Sequence, residues 1–219
     1  MFIRDDFPTF DRPINAYSGK AGGGNLSVRV LLHLNSAVCI IIVANVQFYK
    51  TILHRFKMNS YTTPSTTRIG HVHLKVSDLE RSLAFYQELL GFEITQRYGE
   101  GAVFLSAGGY HHHIGLNTWQ SKGADKAPAR AVGLYHVAIL YAERRELAEV
   151  VKRLLDNEYP LSGAADHGVS EAIYLDDPDG NGVELYWDKP KEEWPFDGEG
   201  NLQMVTEPLN IHGLLGMLR

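Results

Sequence analysis

Glu184 is a carboxylate set inside an apolar strand, between Val183 and Leu185. A charge in a half-buried strand is costly unless it is paired or bound to a metal. Two histidines share an equally apolar setting, His71 in IGHVHLKV and His136 in LYHVAIL. His111-His112-His113 forms a third group, and Tyr174 and His167 lie upstream of Glu184. Two imidazoles and one carboxylate brought to one point make a facial set. Such a set holds a divalent ion and leaves positions open for substrate and dioxygen. By donor softness alone, Fe(II), Mn(II) and Zn(II) are all suited. Each of these residues taken singly also fits a structural role, so the elements that position them decide.

Those elements repeat. Ile69–Val76 alternates as a strand, and Ser77 with Glu80 matches a capping box that opens a helix. Leu79, Leu83, Tyr86 and Leu90 then share one helical face, and Gly91 stands where a left-handed cap is wanted. Phe92–Arg97, Ala102–Ser106 and His111–Trp119 read as three further strands. After the polar linker Ser121–Arg130 the order recurs. Leu134–Leu140 is a strand, Glu143–Asn157 a helix, and Tyr159–Leu161, Ala172–Leu175 and Val183–Trp187 are strands. The last two of these flank the turn formers DPDGNG. His71 and His136 open equivalent strands about 65 residues apart, which makes the pattern an internal repeat. If the two modules pair about a pseudo-twofold axis, His71 and His136 converge and Glu184 completes the set. The fold class expected is α+β.

The 219 residues carry a net charge of −5, with 44% apolar and 21% charged residues. The composition is that of a globular chain with a sizeable core. The acidic balance and the absence of a basic stripe argue against a nucleic-acid partner. A single cysteine, Cys39, excludes a disulfide framework and a four-cysteine zinc site, and suits a reducing compartment. Val28–Val46 is interrupted by His33, Asn35, Ser36 and Asn45, short of the roughly 20 apolar residues of a membrane span. The expected organisation is an N-terminal extension over 1–57 that reads as disordered or poorly defined, modules over 66–120 and 133–188, and a tail over 189–219. In the tail, LNIHGLLGML is expected to form a short helix or strand on the body.

These motifs resemble the vicinal oxygen chelate superfamily, the glyoxalase/bleomycin resistance/extradiol dioxygenase fold. The resemblance rests on IGHVHLKV followed by SDLERSLAFYQELLGF, and on the closing DPDGNGVELYW. GGYHHHIGLNTW, DHGVSEAIYLDDPDGNGVELYWD and the tail EWP…MVTEPLN are similar to the catechol 2,3-dioxygenase-like branch. The likeness spans about residues 66–215. It implies paired βαβββ modules whose sheets curve, half open, around a metal. It also implies His71, His136 and Glu184 as ligands, Fe(II) as the metal, and an aromatic diol and dioxygen as substrates. The slot equivalent to Glu184 in the first module is Gly115, which argues against a site drawing a carboxylate from each module.

The family motif places a second-sphere acid/base on His112, whereas strand alternation puts His113 on the face of Gly115; both stay open. Tyr174 matches the family's active-site tyrosine. His167 lies near a further pocket histidine without matching its offset, and His73 shares the face of His71. The single cysteine leads to the expectation of a cytoplasmic enzyme, and the resemblance is compatible with a homodimer. Two rival readings remain. One is another metalloenzyme of the superfamily, a lyase, isomerase, epimerase or thiol transferase. The other is a metal-free module that binds a small aromatic molecule.

Overall fold

The structure, a computed structural model, describes residues 61–128 and 130–218. The expected 1–57 extension therefore lies outside the described residues. Arg68–Arg219 forms one compact unit carrying both modules. Among the described residues no helix is long and apolar enough to cross a membrane.

The first module runs β1 (Val72–Lys75), α1 (Leu79–Leu83, continued as a π-helical segment Ala84–Leu89), β2 (Glu93–Tyr98), β3 (Ala102–Ser106) and β4 (Ile114–Asn117). The second runs β5 (Val137–Tyr141), α2 (Arg144–Asp156), β6 (Gly163–Asp166), β7 (Ser170–Asp176) and β8 (Gly182–Asp188). A two-residue strand β9 (Glu207–Pro208) and helix α3 (Ile211–Leu215) follow in the tail. The sheets order β1-β4-β3-β2 and β5-β8-β7-β6-β9. In each module the first strand lies parallel to the fourth, β1 to β4 and β5 to β8, and the other neighbours pair antiparallel. The repeat seen in the sequence is thus a repeat of topology.

The registers make the equivalence residue-specific. Parallel pairing sets His73 opposite Gly115 in the first module and Ala138 opposite Glu184 in the second. Leu74 and Val76 turn into the core, while His71, His73 and Lys75 are exposed, as period-two alternation requires. From α2, Leu147, Ala148, Val151 and Leu154 are fully buried, joined by Leu214 of α3. Each buried Leu contributes roughly 1.5–3 kcal/mol.

Several expectations need correction. The N-cap of α1 is Asp78, whose carboxylate accepts from the Arg81 N–H at 3.0 Å, not Ser77. Ser77 is taken by the second module: its hydroxyl donates to Asp179 at 2.7 Å and its N–H at 3.1 Å. Gly91 does adopt the left-handed conformation, with φ of 83°. The second helix carries an unforeseen return bond, the Glu143 N–H donating to the Glu146 carboxylate at 3.1 Å. Tyr159–Leu161 is not a strand. Tyr159 instead stacks on Phe85 at 5.0 Å and donates to the Asp176 carbonyl at 2.8 Å, and the strand forms at Gly163–Asp166. β4 is shorter than expected and leaves His111–His113 in the preceding loop.

Candidate functional site

Glu184 stands on β8, its side chain 13% exposed, with partners on both oxygens. Oε2 lies 3.0 Å from His136 Nε2. Oε1 accepts the Tyr174 hydroxyl at 3.0 Å. Tyr174 comes from β7, directly opposite Glu184 in the pairing register, so the hairpin itself puts phenol beside carboxylate. On its other side the phenol lies 2.6 Å from His167 Nε2. His167 Nδ1 in turn faces the Val205 carbonyl at 2.9 Å. A carbonyl only accepts, so Nδ1 carries the ring proton. The single phenolic proton then has two acceptors within reach, His167 and Glu184.

Burial first, and then the Glu184 carboxylate, pushes the Tyr174 hydroxyl up to about 12. It therefore keeps its proton through neutral pH. In sequence His167 lies near the family's further pocket histidine without matching its offset, and nothing local singles out Val205. The tail brings Val205 there: β9 pairs with β6, and the Val205 N–H donates to the His167 carbonyl at 3.1 Å.

His136 reaches Glu184 because β5 enters close over β8. A Cβ placed on Gly182 would lie 2.1 Å from the Tyr135 carbonyl oxygen. No side chain fits there without moving the backbone. Gly182→Ala is expected to destabilise the fold by about 1–3 kcal/mol and to displace His136. Thermal denaturation reads the first effect, and a shifted His136 imidazole signal in NMR the second.

The histidines of the first module gather separately. The rings of His71 and His112 are 4.4 Å apart, and His112 also contacts Phe104 at 4.9 Å. Burial, followed by the neighbouring His71, holds the His112 imidazole below its ordinary value. Burial and His71 do the same to His73. His113 Nδ1 accepts from the Ala107 N–H at 3.3 Å and stands 3.0 Å from the Ser106 hydroxyl, which ties it to β3.

His71 and His136 line one cleft of about 1300 Å³, together with Ala138, Leu140 and Tyr186. The donor types suit a divalent ion, and His136 and Glu184 already meet. His71 is turned toward His112 instead. Among the described residues no group of three or more His, Cys, Asp or Glu side chains is close enough to hold a metal ion.

A fold of two βαβββ modules with imidazole and carboxylate on its sheet faces defines a class, and comparison with known proteins agrees. Residues 68–185 match the model of the Glyoxalase/Bleomycin resistance protein/Dioxygenase superfamily. The chain belongs to that superfamily. It is 41% identical over 150 residues to the catechol-2,3-dioxygenase of Bacillus subtilis (strain 168), covering 68% of this chain and 51% of that protein. The chain thus spans about half the length of that relative. It is 30% identical over 134 residues to a lactoylglutathione lyase of Neisseria meningitidis serogroup A, covering 58% of this chain and 94% of the lyase. A crystal structure of the lactoylglutathione lyase from Agrobacterium tumefaciens aligns with 57% of this chain and 96% of that one, at 26% identity and a TM-score of 0.45. Proteins similar to this chain thus carry both activities.

Proposed function

We propose that this protein is an extradiol ring-cleaving dioxygenase acting on a catechol-type aromatic diol, with His71, His136 and Glu184 as ligands of a divalent ion, Fe(II) first among the candidates. The observation that carries the reading is the hydrogen-bonded chain His136–Glu184–Tyr174–His167. It joins two of the three candidate ligands to a protonated phenol. The 41% identity to a catechol-2,3-dioxygenase supports it.

A bound Fe(II) would supply Lewis acidity toward the diol and electrons toward dioxygen. The chain's own residues supply the rest. Glu184 is oriented by Tyr174, so its second oxygen stays directed at His136. Tyr174 can offer its hydroxyl proton to a substrate oxygen, and His167, whose ring is held by the Val205 carbonyl, positions the phenol by accepting from it in the free protein. His112 stands beside His71 with its imidazole biased toward the neutral form, which suits it to accept a proton from a diol hydroxyl.

The same placement separates the two acid/base candidates. His112→Phe is expected to lower kcat by about 10²-fold with metal affinity unchanged. His113→Phe should act mainly on melting temperature, because it releases Ser106 and Ala107. Stopped-flow kinetics and calorimetry on both variants check this contrast, and the reverse pattern would exchange their roles.

A lyase or isomerase reading is favoured by the Neisseria meningitidis similarity. It is opposed by Gly115, which offers no second carboxylate. The deciding experiment is oxygen uptake by anaerobically Fe(II)-loaded full-length protein with a panel of catechols. Uptake with a yellow ring-opened semialdehyde is the expected result. A tightly bound metal with no uptake on any catechol would overturn the dioxygenase reading in favour of the lyase or isomerase. Unimpaired function after loss of the three ligands would instead point to a metal-free binding module.

A further inference from the structure

The two modules are equivalent in register but not in content. His71, His73 and Gly115 of the first correspond to His136, Ala138 and Glu184 of the second, since His73 pairs with Gly115 as Ala138 pairs with Glu184. In the second module the long polar side chain springs from the last strand and the small residue sits on the first. In the first module the two have changed places. The exchange is steric as well as formal. A Cβ on Gly115 would lie 2.9 Å from His73 Cδ2, 3.0 Å from Cγ and 3.2 Å from Nε2. The imidazole of His73 is therefore laid directly over the Cα of Gly115. Any side chain at 115 would have to leave through that ring. Phe104 and Trp119 flank the ring edge-on at 5.7 and 5.6 Å, limiting where it can swing.

By internal symmetry, a carboxylate at 115 would extend toward His71 as Glu184 extends toward His136. We propose that His73 is a steric plug: Gly115 supplies no donor, and the His73 ring fills the first-module counterpart of the Glu184 slot, so that no side chain at 115 can join the two imidazoles and one carboxylate and one side of the site stays open for a chelating diol. The proposal rests on the ligand assignment made above. It adds the residue that blocks a fourth donor. A second carboxylate would take up a position that the three-donor set leaves open for substrate. The His73–Gly115 pair thus separates the open-faced arrangement from a four-ligand one on one scaffold.

The test is a cycle on the full-length protein: His73→Ala, Gly115→Glu and the double variant. Melting temperature and Mn(II) or Zn(II) affinity are measured by calorimetry, with no turnover required. Gly115→Glu alone is expected to melt well below wild type, or to fail to fold, with no gain in affinity. The double variant should recover the lost melting temperature and bind the ion about tenfold or more tightly than His73→Ala. Catechol affinity of the loaded double variant should fall in parallel. Equal metal affinity in the double variant and His73→Ala would overturn the plug, because the slot would not face the donors. So would a Gly115→Glu variant that folds normally and gains the same affinity with His73 in place. Absence of ion binding in wild type and every variant would overturn both the plug and the ligand assignment. If the affinity cycle behaves as expected while oxygen uptake fails, the plug stands and only the dioxygenase reading falls.

Discussion

On the proposed dioxygenase reading, replacing Glu184 with alanine is expected to reduce oxygen uptake by about 10³-fold or more. Metal Lewis acidity contributes several kcal/mol to charge stabilisation in a reaction of this kind, and each 1.4 kcal/mol is about tenfold in rate. As the proposed ligand, Glu184 would do more than donate an atom to the metal. It also fixes the Tyr174 hydroxyl at 3.0 Å and lies 3.0 Å from His136 Nε2, so alanine frees the phenol and the imidazole together. Tyr174→Phe removes only the phenolic donor and should therefore cost far less than Glu184→Ala while leaving one metal bound per chain. Metal content by mass spectrometry beside oxygen uptake separates the two effects. A Glu184→Ala protein that keeps its metal and most of its turnover would remove Glu184 from the ligand set.

How much of this was legible beforehand depended on whether the signal was local. The module order could be read because His71 and His136 recur in matching apolar strands, and because hydrophobic period switches from two to 3.6 at each helix. The strand expected over Ala102–Ser106 forms with those bounds. The misses have long-range causes. Tyr159–Leu161 looks like a strand by propensity, yet Tyr159 packs on Phe85 of the other module. The actual strand, Gly-Ala-Ala-Asp, has poor strand propensity and forms between β7 and the tail strand β9. Ser77 could not be seen to abandon its capping role, because Asp179, which claims it, is 102 residues away. The site divides along the same line. Tyr174 and Glu184 share a hairpin, so their contact follows from turn spacing. The contact of His71 with His112 and the seat of His73 over Gly115 depend on how β1 lies beside β4.

Asp177→Ala is expected to be the most damaging single change to stability outside the apolar core, at about 3–5 kcal/mol. The carboxylate is buried, 2% exposed, and accepts four hydrogen bonds. Three close the β7–β8 turn, from the Asp179 N–H at 2.9 Å and from the Asn181 N–H and side-chain amide at 2.8 and 2.9 Å. The fourth comes from the Tyr86 hydroxyl at 3.0 Å, in the other module. Tyr86 is fully buried, and burial followed by the Asp177 charge raises its ionisation far above the ordinary range, so it is a permanent donor. Alanine strands that donor away from water and opens the turn between Tyr174 and Glu184. At roughly 2–4 °C per kcal/mol for a domain of this size, the melting temperature should fall by on the order of 10 °C. Tyr86→Phe provides the comparison: it removes the donor while the carboxylate keeps its three turn bonds, so about 1 kcal/mol is expected. A loss below 1 kcal/mol for Asp177→Ala would show that Asp179, through Ser77 and Arg81, already holds the hairpin to α1 without it.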